Sequence, residues 1–342
     1  MSLTMRKSIF TQKRLREILG RYQGCQIAVY GDLVVDEFLF GEISRVSREA
    51  PVLILKQKES LVVPGGAANA VNNLCALGAC PIPFGIVGDD VSGRELIRQF
   101  KQKRIETHFM RKVPGYQTPT KTRVLAGSVH SSRQQVLRLD RGSRFDHQPQ
   151  SESQLWKEMD RELESCRGVI ISDYDFGYVS AAVVAQLGRY RDRLPVVLDS
   201  RFQLLKYHGI TAATPNEPEV EEALGIKIGN DLSKLDAAGR KLLKRQQFEA
   251  LLITRGRDGM ALFEPHRPTS HLSIFGTDEI ADVTGAGDTV IAVFTLSLAV
   301  GANFLEAAKL SNFAGGIVVM KRGTATVSVE ELEAAVITEF KE

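Results

Sequence analysis

The sequence predicts a doubly wound α/β fold, a three-layer α/β/α sandwich, with a small β-sheet lid. Three observations support this prediction. Apolar strand segments alternate with helical segments along most of the chain, as in a parallel sheet covered on both faces. Several of these strands end in a polar residue, such as Asp32, Asp173 or Asp199, and open α/β sheets bind ligands at that edge. Two further pairs of segments alternate with period two and lie outside the βα pattern.

The bulk composition is that of an ordinary soluble globular chain. Its 342 residues are 43% apolar and 25% charged, and the net charge of +3 leaves no nucleic-acid or membrane footprint. No apolar stretch is long enough to span a membrane, and the polar, basic first 23 residues predict no signal peptide. We therefore expect a cytoplasmic protein. Its cysteines show no metal-binding spacing, so we expect them to be reduced and mostly buried: Cys25, Cys75, Cys80 and Cys166.

The first elements are an amphipathic helix over residues 9–19 and an apolar strand over 26–30. The strand leads into Asp32, and Asp36 follows four residues later. Carboxylates at the carboxyl end of a parallel strand can contact a ligand. They can equally be solvated loop residues, and the sequence leaves both readings open.

Period-two alternation marks the lid. The segments 38–41, 52–57, 118–125 and 134–139 alternate and predict four strands, so the lid is formed by insertions at about 37–60 and 118–141. Basic residues on these strands could bind a phosphorylated substrate or could be solvated charges that protect a sheet edge. They are Lys121, Arg123, Arg138 and Arg141.

A double glycine, Gly65-Gly66, opens a predicted helix that runs to about residue 77 and ends at Gly78. Asn69 lies in the first turn of this helix, where it would face whatever the glycines let approach. The alternative is a glycine-rich loop with Asn69 on the surface. Next, a strand over 82–87 precedes a helix capped by Ser92 that ends near residue 103.

From residue 151 onward the pattern is βαβα. Polar residues follow several strands, and their repetition favours one ligand-binding edge over isolated helix caps. The predicted helices are 155–165, 181–190, 304–320 and 329–340, and the predicted strands are 168–171, 196–198, 210–213 and 251–253.

The stretch 282–289, Asp-Val-Thr-Gly-Ala-Gly-Asp-Thr, precedes a long apolar run over 290–300 that predicts a buried helix. Gly285, Ala286 and Gly287 would then lie at a helix N-terminus, whose free N–H groups favour an anion. Asp288 would repel a phosphate, so its best role is to accept a proton from a hydroxyl that attacks the phosphate. A glycine-rich turn capped by an aspartate is the alternative. The stretch is neither a dinucleotide-binding fingerprint nor a Walker A loop.

Together, Gly65-Gly66-Ala67-Ala68-Asn69 and the stretch 282–288 resemble the pfkB, or ribokinase-like, family of carbohydrate kinases. The resemblance covers nearly the whole chain, as a single ribokinase-like kinase domain over 1–342. Within the family the chain most resembles the kinase part of bacterial heptose-7-phosphate kinase/adenylyltransferases. The segments that carry this narrower resemblance are 31–36, 47–52, 64–69, 120–124, 138–140, 172–174, 214–216 and 282–289.

The resemblance implies an ATP- and Mg²⁺-dependent phosphotransferase and assigns roles to its residues. Asp288 would be the catalytic base, with an anion hole at Gly285, Ala286 and Gly287. The implied substrate-binding residues are Asp36, Gly65, Gly66, Asn69, Lys121, Arg123 and Asp173. The implied nucleotide-binding residues are Asn216, Glu219, Thr254, Gly256, Gly259 and Asn312. Glu219 would act on Mg²⁺ through phosphates and water, and the backbone near Asp282 and Thr284 could hold a monovalent cation such as K⁺.

The chain also departs from the heptose kinase pattern. Asp175-Phe176-Gly177 replaces a small residue followed by Lys-Gly, and Asp199-Ser200-Arg201 replaces Asp-Pro-Lys. The leading prediction is phosphorylation of heptose 7-phosphate at O1, and these changes favour the alternative of another acceptor, such as ribose, fructose phosphate or a nucleoside. A non-catalytic ligand-binding relative is a third hypothesis. The His-x-Gly-His motif of the nucleotidyltransferase part does not occur in the sequence. We further expect a homodimer formed through the lid strands.

Overall fold

Strands and helices alternate along the chain in the computed structural model, which describes residues 10–127, 134–276, 282–321 and 323–341. The elements in chain order are α1 (Gln12–Leu19), β1 (Gln26–Gly31), β2 (Leu33–Val46), β3 (Leu53–Gly66), α2 (Ala67–Ala76), β4 (Cys80–Gly88), α3 (Val91–Gln102), β5 (Met110–Val113), β6 (Thr120–Gly127), β7 (Gln134–Arg141), α4 (Pro149–Glu162), β8 (Gly168–Asp173), α5 (Ala181–Leu187), β9 (Val196–Ser200), β10 (Ala212–Ala213), α6 (Glu217–Leu224), α7 (Leu232–Gln246), β11 (Ala250–Thr254), β12 (Met260–Phe263), β13 (Ser270–Leu272), α8 (Ala286–Ala299), α9 (Phe304–Val319) and α10 (Val329–Glu339).

The main sheet has the order β13-β12-β11-β10-β9-β8-β1-β4-β5. The strands from β11 to β5 pair in parallel, and β12 and β13 add an antiparallel edge. Helices cover both faces: α1 to α3 and α8 to α10 contribute to one apolar core, and α4 to α7 to the other. The predicted three-layer α/β/α sandwich is confirmed, and the carboxyl ends of the parallel strands meet at one edge.

A second sheet, the lid sheet, has the order β3-β2-β6-β7. Its strands β2 and β3 run antiparallel over 14 residues each, while β2 and β6 are parallel. These strands are longer than the predicted hairpin, because pairing continues past its apolar segments. Asp36 therefore lies inside β2, and Gly65-Gly66 ends β3 directly before α2.

Several local predictions need correction. The N-cap of α3 is Asp90 and not Ser92, because Asp90 Oδ1 accepts the Gly93 N–H at 2.8 Å. Helix α1 begins at Gln12, and Ile9, where the prediction began it, lies outside the described residues. All four cysteines are free, but only Cys25 and Cys166 are buried. Across the described ranges, none of the helices has the length and apolarity that a bilayer crossing would need.

Candidate active site

Asp288 lies in the first turn of α8, at the carboxyl-terminal edge of the main sheet. The helix begins at Ala286, four residues before the apolar run, and Gly285 is its N-cap with a left-handed φ of 78°. The Asp288 side chain is buried, with 3% of the residue exposed. A carboxylate buried beside the N-H groups of a helix N-terminus is favoured there by the helix dipole.

Two donors from distant parts of the chain hold the Asp288 carboxylate. The amide of Asn69, from the first turn of α2, donates to Oδ2 at 2.9 Å. The hydroxyl of Tyr174, directly after β8, donates to Oδ1 at 2.8 Å. The structure thus brings the two glycine-rich motifs together. Because the Asn69 amide also donates to the Gly285 carbonyl at 3.3 Å, it orients the base, and its predicted contact with a sugar hydroxyl stays a prediction.

Burial raises the pKa of Asp288 to about 7. The hydrogen bonds from Asn69 and Tyr174 oppose this effect, while the nearby Asp36 carboxylate adds to it and Lys121 opposes it. A general base works best when its pKa is close to the operating pH. The carboxyl group is therefore a better base near neutral pH than a free aspartate would be.

The lid sheet contributes a row of charged residues. Asp36 on β2, Lys121 on β6 and Asp140 on β7 are neighbours across the strands. The Asp36 carboxylate is buried and pairs with Arg123, with 2.5 Å between Oδ1 and Nη1. Gly65 makes room for it, because a Cβ there would lie 2.5 Å from Asp36 Oδ2. Arg123 is thus already neutralised by Asp36.

Lys121 differs from Arg123 in having no carboxylate partner. Among the described residues it forms no ion pair, and its ammonium lies 4.6 Å from the centre of the Tyr174 ring. Burial lowers the pKa of Lys121, as does Arg201, while Asp36 and Asp288 oppose this shift. Of the two predicted lid cations, Lys121 is therefore the one available to an anionic ligand.

Two adjoining cavities meet at the N-terminus of α8, where Gly287 lines both. The first, of about 480 Å³, is lined in part by Tyr174, Asp199, Arg201, Glu219, Gly285 and Gly287. The second, of about 530 Å³, is lined in part by Gly256, Gly259, Met260, Ala286, Asn312 and Gly315. Asn216, Thr254 and Gly287 line both cavities. Every residue predicted to bind the nucleotide therefore lines one of these cavities.

The helix N-terminus offers part of the predicted anion hole. Within the described part of the chain, no acceptor faces the backbone N–H groups of Gly285 and Gly287, while that of Ala286 donates to Val283 at 3.3 Å. No atom of the described residues lies within 4 Å of the position that a Gly287 Cβ would take. Two of the three predicted donors are therefore free for an anion in the first cavity.

Asn216 and Glu219 form a capping box at the start of α6. The Asn216 side chain accepts the Glu219 N–H at 2.8 Å, and Glu219 Oε2 accepts the Asn216 N–H at 2.9 Å. Burial raises the pKa of Glu219 to about 7. Burial, followed by repulsion from Glu219 and Asp288, raises the pKa of Asp199 well above its usual range. Such a set of carboxyl oxygens facing a polar cavity suits Mg²⁺, which binds through few carboxylates together with water and phosphates.

Asp173 was predicted to bind the substrate, and Asp282 to lie at a cation site. In the structure both carboxylates accept hydrogen bonds from the protein itself. Asp173 accepts hydrogen bonds from the Ser200 and Tyr207 hydroxyls at 2.9 and 2.8 Å, and it does not line either cavity. Asp282 accepts the N–H groups of Thr284 and Gly323 at 2.9 and 3.1 Å. Both carboxylates thus stabilise loops. Cation binding by the carbonyl groups of Asp282 and Thr284 stays a prediction.

Asp32, for which the sequence left two readings, also stabilises a loop. Its buried carboxylate accepts the N–H groups of Tyr174, Phe176 and Tyr178 at 2.8 to 3.3 Å. Sequence reasoning missed the consequence, which is that Tyr174 reaches the base. It placed Asp199 at the ligand-binding edge without assigning it a role, although Asp199 lines the first cavity, and it missed Thr324, whose hydroxyl lies 3.5 Å from Asp36 Oδ2. The Ser-Asp-Tyr motif was a signal for Tyr174, but no motif marks Thr324.

The sequence matches the profile of the pfkB family carbohydrate kinases over residues 26–332. It is 40% identical over 319 residues to the bifunctional protein HldE of Coxiella burnetii and 38% identical over 316 residues to that of Desulfatibacillum aliphaticivorans. These alignments cover 93% and 92% of this chain but only 65% and 63% of the relatives. The chain therefore spans less than two thirds of the length of these curated relatives.

Solved structures share the fold. Arabidopsis thaliana ribokinase complexed with ribose and ATP superposes with a TM-score of 0.69, at 17% identity over 94% of this chain and 99% of that one. Escherichia coli phosphofructokinase-2 in complex with potassium gives a TM-score of 0.71, at 14% identity over 92% and 99% of the two chains. At these identities the likeness establishes the ribokinase-like fold alone.

Proposed function

The chain belongs to the pfkB family of carbohydrate kinases, and we propose that it transfers the γ-phosphate of ATP to the O1 hydroxyl of heptose 7-phosphate. One observation carries the kinase proposal. Asp288, whose pKa is raised to about 7, bonds to Tyr174, whose ring lies against Lys121, and directly follows Gly287, which lines the first cavity. A proton acceptor, a cation and free N–H donors thus occur close together.

The residues divide the reaction between them. The acceptor hydroxyl forms a bond to the γ-phosphorus, the bond from that phosphorus to the ADP oxygen breaks, and the hydroxyl proton passes to Asp288. The N–H groups of Gly285 and Gly287 stabilise the charge on the transferred group. Loss of one such donor typically costs on the order of 3 kcal/mol. In a loose transition state the proton leaves late, so the orientation of Asp288 matters as much as its pKa.

The second cavity supports the ATP part of the proposal. Gly256, Gly259 and Gly315 line it with little side-chain bulk beside the apolar Met260, which suits a flat base. Mg²⁺, when bound, would neutralise phosphate charge, and Glu219 is the residue best placed to hold it through water and phosphates. K⁺ bound by the backbone near Asp282 and Thr284 is part of the same proposal.

The assignment of heptose 7-phosphate as the acceptor is supported by the family resemblance and by the charged residues of the lid sheet. Lys121, which has no carboxylate partner among the described residues, and the Asp36 carboxylate suit a sugar that carries both a phosphate and hydroxyl groups. Arg201 lines the first cavity and forms no ion pair with any described residue. It can supply the positive charge that the lysine of the heptose kinases would bring, although arginine and lysine recognise phosphate with different geometry.

A kinase for another sugar or for a nucleoside is the second candidate, and Phe176 favours it. Phe176 stands at the position where the heptose kinases have a lysine, and its ring lies beside Gly142. A phosphate that depended on that lysine would bind less well here. The buried Asp288 with two donors argues against a non-catalytic relative, because an inactive site gains nothing from a buried carboxylate.

The test is ADP release from Mg·ATP with a panel of free and phosphorylated sugars, for the wild type and Asp288→Asn. We expect turnover of heptose 7-phosphate that falls by a factor of 10³ or more in the variant. Turnover of a different sugar alone would support the kinase assignment but contradict heptose 7-phosphate as the acceptor. ATP binding without turnover of any acceptor would replace the kinase by a binding module.

We make two further proposals, on the oligomeric state of the protein and on its cellular location. We propose one kinase unit with an inserted lid, which forms a homodimer through the lid sheet. Eight of the thirteen exposed large apolar side chains among the described residues belong to this sheet or its β2–β3 loop: Ile43, Val46, Val52, Leu53, Leu61, Val136, Leu137 and Leu139. We also propose a cytoplasmic location, which agrees with four free cysteines and with ATP as substrate.

A further inference from the structure

Tyr174 connects three parts of the site. Its backbone N–H donates to Asp32 Oδ2 at 2.8 Å, which fixes the loop after β8. Its ring packs close to Gly66, where a Cβ would lie 3.2 Å from Tyr174 Cδ2. Its hydroxyl donates to Asp288 Oδ1 at 2.8 Å. The ring is thus fixed at its backbone, at one edge and at its hydroxyl.

We propose that Tyr174 is a positioning residue for Asp288, which fixes the plane of the carboxylate and favours its charged form. This inference rests on the proposed function. Because Tyr174 holds Oδ1 while Asn69 holds Oδ2, the carboxylate cannot rotate about its Cβ–Cγ bond without losing a hydrogen bond. The lone pairs left on the two oxygens therefore point in fixed directions, and the acceptor hydroxyl meets an aligned base.

Tyr174 also places the base relative to the acceptor side of the site. The Lys121 ammonium lies 4.6 Å from the ring centre, within the range of a cation–π contact. The same side chain thus contacts the base through its hydroxyl and the lid cation through its ring. A lid that delivers a phosphorylated acceptor with Lys121 would bring it against the ring that orients Asp288.

The effect on proton transfer has a definite sign. The groups that face Asp288 are Asp36 from β2, Asn69 from α2, Lys121 from β6, Tyr174 from the loop after β8 and Asp199 from β9. The two carboxylates favour the protonated form, whereas Asn69, Lys121 and Tyr174 favour the charged form. Loss of the Tyr174 hydroxyl removes one of the latter, so the pKa of Asp288 must rise.

The experiment compares Tyr174→Phe with Tyr178→Phe on whichever acceptor the wild type turns over. Tyr178 is the matched control, because its buried hydroxyl has no hydrogen-bond partner among the described residues. Since a hydrogen bond to a charged group is worth a factor of roughly 10 to 100, we expect kcat of Tyr174→Phe to fall by about that factor. KM for ATP should change less than about twofold, and the acidic limb of the kcat profile should move up by about one pH unit. Tyr178→Phe should match the wild type.

Kinetics of Tyr174→Phe that match those of Tyr178→Phe would overturn the inference. A fall in kcat without a shift of the acidic limb would also overturn it, since a merely structural defect gives that result. If the wild type turned over only a different sugar, the heptose assignment would fail, but the comparison of the two tyrosine variants would still test the role of Tyr174. A carboxyl titration by ¹³C NMR, with Asp288 assigned through Asp288→Asn, needs no acceptor, and an unchanged Asp288 pKa in Tyr174→Phe would contradict the inference.

Discussion

At the scale of single residues, Gly285 shows how little freedom the site leaves. Its φ of 78° is left-handed, and a Cβ would lie 2.5 Å from Asn69 Nδ2 and 2.8 Å from Thr324 Cγ2. A side chain here is unfavourable for the backbone and displaces the amide that holds Asp288. The glycine therefore serves the position of the base as well as the approach of a phosphate.

We expect Gly285→Ala to lose about 1–3 kcal/mol of stability and to lower kcat at least about tenfold, because Asn69 must move. Thermal unfolding and steady-state kinetics would measure the two effects. Gly287→Ala is the matched control. Its Cβ would meet no atom of the described residues within 4 Å, so the variant should keep its stability and lose only affinity for ATP in the cavity that Gly287 lines. A Gly285→Ala protein with wild-type stability and kcat would contradict this account.

The buried Asp288 carboxyl also couples folding to pH. Its pKa is raised from 3.8 to about 7, so between these values the folded protein holds a proton that the unfolded chain has released. The stability contributed by this group is therefore full at low pH and is lost as the pH rises toward 7, by at most on the order of 4 kcal/mol.

We expect Asp288→Asn to unfold at a higher temperature than the wild type at pH 8, with a smaller difference at pH 5. The asparagine keeps both neighbours, because the Tyr174 hydroxyl can accept from its amide while Asn69 donates to its oxygen. The control is Asp231→Asn, since hydrogen bonding to Ser233 and Lys234 lowers the pKa of Asp231. Its contribution is lost as the pH falls. If the difference in unfolding temperature between Asp288→Asn and the wild type did not vary with pH, Asp288 would not be a buried carboxyl with a raised pKa.

At the scale of elements, Asp90 joins the main sheet to the lid sheet. Its Oδ1 caps α3 through the Gly93 N–H and also accepts from the Thr118 hydroxyl at 2.8 Å, and its Oδ2 accepts the Thr118 N–H at 2.7 Å. Thr118 lies two residues before β6, the strand that carries Lys121. One carboxylate therefore stabilises a helix N-terminus and fixes the start of a lid strand.

We expect Asp90→Ala to cost about 2–3 kcal/mol, because it removes a cap and two further hydrogen bonds. Asp231→Ala, which removes only a cap on the exposed start of α7, should cost clearly less than Asp90→Ala. Chemical denaturation would give both values. Because Asp90 also fixes the lid strand, KM for the acceptor should rise in Asp90→Ala alone. Equal losses of stability in the two variants would show that the Thr118 contacts contribute nothing.

The elements that the sequence predicted well are those with a strong local signal. The apolar strands β1, β4 and β8 and the helix after Gly285 were predicted within a few residues, since burial imposes their pattern. The short strands β5, β12 and β13, near the two ends of the main sheet, were missed. A segment such as Met110–Val113, which contains two charged residues, carries no strand pattern of its own and becomes a strand only by pairing with β4.

At the scale of the whole molecule, the sequence assigned Asn69 and Asp288 to one site because their two motifs together resemble one family, but it predicted that Asn69 contacts the sugar and not that it holds Asp288. It could not place Tyr174 against the base, since that contact depends on Asp32 holding the loop after β8. It also could not explain Asp175, which takes a left-handed φ of 64° where the heptose kinases have a small residue. There Arg144 contacts both the Asp175 carboxylate at 3.1 Å and its carbonyl at 3.0 Å, and these contacts offset the strain.

One face of the lid sheet offers a surface for a second copy of the chain. Leu39, Val124 and Leu137 are neighbours across three strands, and Leu137 is 58% exposed. Exposed apolar side chains gathered on one sheet are typical of a protein interface. The opposite face of the same sheet carries Asp36 and Lys121. A partner bound to the face of Leu137 would therefore stabilise the strands that hold the acceptor site.

We therefore expect light scattering at micromolar concentration to give twice the chain mass of 37.7 kDa and Leu137→Glu to give a single chain mass. The control is Leu232→Glu, at a residue that is 52% exposed on α7, away from the lid sheet, and it should stay dimeric. Because an unbraced lid holds Lys121 less firmly, KM for the acceptor should rise in Leu137→Glu while KM for ATP stays near that of the wild type. A wild type that is monomeric under these conditions would remove the lid interface, and the exposed leucine would then need a different partner.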